Sequence, residues 1–115
     1  MTNYCFTAPI LEGGIEIMKK WIEENIVNNK EHDAVFKTAE ISRETVWIQH
    51  LPQGDYAVAS YDTDDPEQSF KVLATSNDPW AVKFRDHLKK VHGIDLSAGH
   101  QPSLNKMMVD WNEET

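Results

Sequence analysis

The chain has 115 residues, 40% of them hydrophobic, 26% charged and 10% aromatic, enough for one domain over residues 1–115 with a core that needs no metal or disulfide staple. Eleven basic against nineteen acidic residues leave a formal charge of -8, which repels phosphate backbones and anionic lipid at long range and argues against nucleic-acid or membrane partners. No stretch approaches the roughly 20 apolar residues of a membrane span, and the start Met1-Thr2-Asn3-Tyr4-Cys5 lacks signal-peptide character, so a cytoplasmic protein is expected.

In chain order, residues 4–8 are β-prone and end at Pro9, which predicts a first strand. Leu11, Ile15, Met18, Ile22 and Ile26 then recur at spacings of three and four, the stripe of an amphipathic helix starting after Gly13 and Gly14. Asn28 and Asn29 predict a stop or kink before a second helical piece over 31–40, with Ala34, Val35 and Ala39 available for packing. Residues 45–51 and 55–61 are dense in β-branched and aromatic side chains and flank Pro52-Gln53-Gly54, which predicts a hairpin. A three-residue loop puts Leu51 opposite Asp55, Trp47 opposite Ala59 and Thr45 opposite Tyr61. The other face then pairs His50 with Tyr56 and Ile48 with Val58. Both faces carry large apolar groups, so the hairpin reads as covered on both sides.

Asp65-Pro66 and Asp78-Pro79 each announce a helix, since aspartate accepts from free first-turn N–H groups and proline is tolerated at the first helical position. The second of these carries Trp80, Phe84, His87, Leu88 and Val91 on one stripe and meets Gly93 as a stop. Residues 97–103 read as loop, 106–111 as a final strand and 113–115 as a frayed end. The order is that of an α+β, ferredoxin-like βαββαβ layer: a four-stranded antiparallel sheet with helices on one face. Its far face is too apolar for water, and a second copy of the chain is the expected cover.

The hairpin with its Gln53-Gly54-Asp55-Tyr56 turn, the stretch 62–76 and the Asp78-Pro79-Trp80 helix resemble uncharacterised small proteins of the dimeric α/β-barrel superfamily. That resemblance implies two ferredoxin-like subunits pressing their sheets into a barrel that holds a small apolar ligand. The superfamily includes cofactor-independent monooxygenases, haem-degrading enzymes, lactone isomerases and proteins without known activity, so fold alone does not name a reaction.

Candidate chemistry is sparse. His50 is the candidate general base and polar anchor, against the plainer reading of a hydrogen-bonded histidine at a strand end. Trp47, Tyr61, Trp80, Phe84, His87 and Trp111 are the candidate ligand-binding set, against ordinary core. No metal or cofactor is expected: His87 and His92 are five apart, which misses the helical same-face spacing. Asp62, Asp64 and Asp65 read as helix capping, His32 as a solvated position, and Cys5, the single cysteine, as a buried thiol. The expected function is a homodimer binding a small, mainly apolar molecule. The alternatives are a cofactor-independent monooxygenase or isomerase, or a structural dimer whose barrel is filled by side chains.

Overall fold

Residues 2–99 and 105–114 are described by the computed structural model of the chain. Strand β1 (Thr2–Pro9) leads into helices α1 (Gly14–Asn25) and α2 (Lys30–Thr38). The hairpin β2 (Arg43–Leu51) and β3 (Gly54–Thr63) follows, then α3 (Pro66–Thr75), α4 (Pro79–His92) and a short 3-10 turn (Leu96–Ala98). Both β1 and β2 pair antiparallel with β3, in the order β1-β3-β2. β1 and β2 therefore run parallel on either side of the strand between them, a split βαβ arrangement.

Helix boundaries follow local chemistry. Asn29 opens α2 by accepting from His32 N at 2.9 Å, Asp65 opens α3 by accepting from Gln68 N at 3.2 Å, and Asp78 opens α4 by accepting from Trp80 N at 2.9 Å. Each bond satisfies one of the orphan donors of a first turn. α4 stops at Gly93 with φ 69°, a left-handed conformation that glycine adopts without steric cost. At Gly14 the reason for glycine is contact: a Cβ there would lie 2.8 Å from Ile10 Cγ2 and 3.2 Å from Val91 Cγ1.

Side chains alternate across the sheet. Phe6 and Ala8 on β1 share the inner face with Ala57, Ala59 and Tyr61 on β3 and Glu44, Val46 and Ile48 on β2. This face meets the helices. Phe6 stacks on Tyr61 at 5.6 Å and meets Phe70 edge-on at 5.6 Å. Leu73, Trp80, Ala81 and Val91 are at most 1% exposed. The outer face carries Cys5, Thr7, Tyr56, Val58, Ser60, Thr45, Trp47 and Gln49, and no helix covers Trp47, which is 55% exposed.

Two expectations are corrected. Among the described residues the sheet has three strands, not four: residues 106–111 form no strand, and Met107, Met108, Val109 and Trp111 are 61–79% exposed. Their β-propensity is real, but a strand exists only where a partner supplies ladder bonds. The segment makes one such bond at its start, Asn105 N to Cys5 O at 2.7 Å, and then departs. The part of the expected loop 97–103 beyond Gly99 lies outside the described residues, as does Thr115.

The hairpin register also differs by one residue. Leu51 stands opposite Gly54, His50 opposite Asp55, Trp47 opposite Val58 and Glu44 opposite Tyr61, because Pro52 and Gln53 alone form the loop. Proline supplies the φ that the first loop position needs, and Gly54 starts β3 at φ 143°. A slip of one exchanges the faces of a strand. Trp47 is turned outward, away from Ala59 and Tyr61, and Glu44 is turned inward.

Candidate functional site

The one-residue shift puts a carboxylate beneath the sheet. Glu44 is 11% exposed at its side chain and accepts a hydrogen bond from the Tyr61 hydroxyl. On its other side, His32 Nε2 lies 3.1 Å from Glu44 Oε1 while His32 Nδ1 lies 2.9 Å from Asp33 Oδ1. His32 is not a solvated position. It lies on the stripe His32, Val35, Phe36, Ala39 that faces the core, 9% exposed, with its ring 4.2 Å from Phe36 and edge-on to Trp80 at 5.3 Å.

Electrostatics follow from this packing. Burial pulls the His32 pKa down, but hydrogen bonds to the Glu44 and Asp33 carboxylates outweigh it, and the net shift is upward. Burial, with the Glu44 charge and hydrogen bond added, raises the Tyr61 hydroxyl well above its ordinary value, so Tyr61 is a neutral donor at physiological pH. His87 behaves oppositely. Burial, then the neighbouring His92 and Lys90, lowers its pKa to about 4. Burial likewise lowers His92, although its Nδ1 sits 2.8 Å from Pro9 O. Both α4 histidines are therefore neutral at pH 7.

Two spaces meet at Glu44. The inner one, about 60 Å³, lies between sheet and helices, with Phe6, Met18, Trp21, Tyr61, Phe84 and His87 in its wall. Its lining is mostly apolar, and its polar groups are Glu44, Tyr61, His87 and His92. The outer one is a cleft of about 660 Å³ between α2 and the start of β2, where His32, Asp33, Lys37, Glu40, Arg43 and Asp64 join Glu44. Ile26 and Glu44 border both spaces. A volume of hundreds of Å³ is typical of small-molecule sites, whereas the inner cavity alone has room for about two waters.

The six residues expected to bind ligand are divided by the fold. Tyr61, Phe84 and His87 come together at the inner cavity. Trp80 lies behind them in the core, 1% exposed, with its indole donating to Asn25 O at 2.8 Å. Trp47 is on the outer sheet face and Trp111 on the departing C-terminal segment. His50 stands at the hairpin tip, its side chain 72% exposed and its Nδ1 2.6 Å from Asp55 Oδ1, apart from both spaces. Sequence reasoning missed Glu44 and His32. The signal for His32 was its place on the apolar stripe of α2; for Glu44 it was the register. Among the described residues no cluster of three or more His, Cys, Asp or Glu is arranged to hold a metal.

No protein-family model and no curated protein sequence matches the chain. Solved structures share its fold. An L-rhamnose mutarotase from Formosa agariphila is similar at a TM-score of 0.65 and 14% identity, covering 98% of this chain and all of its own. A dimeric ferredoxin-like protein from an uncultured marine organism is similar at a TM-score of 0.56 and 13% identity, covering 96% of this chain and 97% of its own. The chain has a ferredoxin-like α+β fold. No helix among the described residues is long and apolar enough to cross a membrane.

Proposed function

We propose that the chain is a homodimer that binds a small molecule in the cleft at Glu44, its hydroxyl meeting the Glu44 carboxylate and its apolar part resting on Ile26 and Phe36. The observation that carries this is a largely buried carboxylate at the seam of an apolar cavity and an open cleft. A carboxylate has about four acceptor sites, so the bonds from His32 and Tyr61 leave capacity for a ligand hydroxyl. Ile26 and Phe36 form walls for the apolar part. The homodimer is supported by the uncovered outer sheet face and by the dimeric state of one similar structure.

Phenol, one ring with one hydroxyl, is a suitable probe. Titrated at millimolar concentration it should perturb the NMR signals of Ile26, His32 and Phe36, and E44Q should weaken binding by about tenfold, the loss of one charge-assisted hydrogen bond. Binding unchanged in E44Q removes Glu44 from the site.

A second reading, an isomerase working by proton transfer, is favoured by the His32–Glu44–Tyr61 chain and by the rhamnose mutarotase among the similar folds. In it the carboxylate of Glu44, held by His32, takes the proton of an anomeric hydroxyl and passes it to the ring oxygen. The ring C–O bond breaks to an open-chain aldehyde and recloses with the steps reversed. L-Rhamnose is the substrate to try. Acceleration of anomer exchange that falls about 100-fold or more in E44Q supports this reading; exchange no faster than in buffer rejects it.

A further inference from the structure

Large apolar side chains stand in solvent at two places, and the two fit each other. Met107, Met108, Val109 and Trp111 are 61–79% exposed on the C-terminal segment, and Trp47 is 55% exposed on the outer face of the sheet beside Val58. We infer that residues 106–111 of one copy lie across the outer sheet face of a second copy, Met107, Val109 and Trp111 turned onto its Trp47 and Val58. This rests on the homodimer reading above.

The segment starts in the right place. Asn105 N donates to Cys5 O at 2.7 Å on the edge of β1 that β3 leaves free, and the Cys5 side chain is on the outer face. It then leaves its own β1 edge after that single bond, although the edge is open among the described residues. Lys106, Met108 and Asp110 alternate with Met107, Val109 and Trp111, so in extended form one side is wholly apolar and the other carries both charges with Met108 between them. Six extended residues reach roughly 20 Å, about twice the ~10 Å width of a three-stranded sheet, enough to cross a facing one. Twofold symmetry makes the contact reciprocal. The three docking side chains offer on the order of 400 Å² per copy. With the faces they cover, two arms bury roughly 1,600 Å², the size of a stable interface.

The test uses the full chain. In sedimentation velocity at micromolar concentration it should run at twice 13.2 kDa, and the double variant V109D/W111D should dimerise about 100-fold more weakly with unchanged circular dichroism. Chains with ¹³C-labelled methionine methyls, re-equilibrated with unlabelled chains, should give isotope-filtered NOEs from the Met107 methyl to the Trp47 ring, absent in W47F. A V109D/W111D dimer as tight as the parent, or NOEs only within a chain, overturns the exchanged arm and leaves the dimer standing. A full chain that sediments as a monomer overturns both.

Discussion

At the scale of single residues, protonation is divided between two environments on either side of Trp80 and Trp21. His32 is held between two carboxylates, at 2.9 Å from Asp33 and 3.1 Å from Glu44, and its net pKa is raised. His87 stacks on Trp21 with ring centroids 4.6 Å apart, and its pKa falls to about 4. Their linkage to stability has opposite signs. For His32 the folded state binds the proton more tightly, so its contribution is full below pH 6.5 and is lost as pH rises through the raised folded value. For His87 the unfolded chain binds the proton first, so stability declines as pH falls from 6.5 to about 4 and levels off below. The expected consequence is a urea midpoint that drops on acidification through that window. H87F should flatten the drop, leaving the part due to His92. An unaltered pH slope in H87F contradicts the buried, neutral His87.

At the scale of elements, the hairpin decides which side chains can meet. The helix boundaries were legible because their signals are local: Asp65, Asp78 and Asn29 each cap the helix they precede. Register was not legible, because the periodicity of β2 does not choose a face. Thr45, Trp47 and Leu51 on one side and Val46 and Ile48 on the other are similarly apolar, so a two-residue and a three-residue loop satisfy the pattern equally. The structure selects the shorter loop, and with it Glu44 replaces Trp47 on the side of Tyr61. Half of the candidate site, Tyr61, Phe84 and His87, was readable from stripes and strands; the other half, Glu44 and His32, depends on a register and on contacts distant in sequence. The seam between α1 and α4 is tight at Gly14, where Ile10 Cγ2 leaves 2.8 Å for a Cβ. G14A should therefore cost about 1–2 kcal/mol by overpacking, against the smaller gain in helix propensity. An increase in the urea midpoint of G14A contradicts this packing.

At the scale of the whole molecule, three strands with helices on one side form only half of a covered sheet. The radius of gyration, 14.4 Å, exceeds the roughly 13 Å of a compact chain of this length, in keeping with a C-terminal segment that extends from the body. Two uncovered apolar features on one small acidic chain are a liability for a monomer and an interface for a dimer. The proposed dimer through the outer face would leave Glu44, the inner cavity and the cleft on the opposite side of the sheet open to ligand, so assembly and binding would use different surfaces. The most direct measurement of the account is a crystal structure of the protein grown with phenol. The predicted result is a ring against Ile26 and Phe36 in the cleft with its hydroxyl within hydrogen-bond distance of Glu44. Phenol found only on the outer face, with the space beside Glu44 holding none, would contradict it.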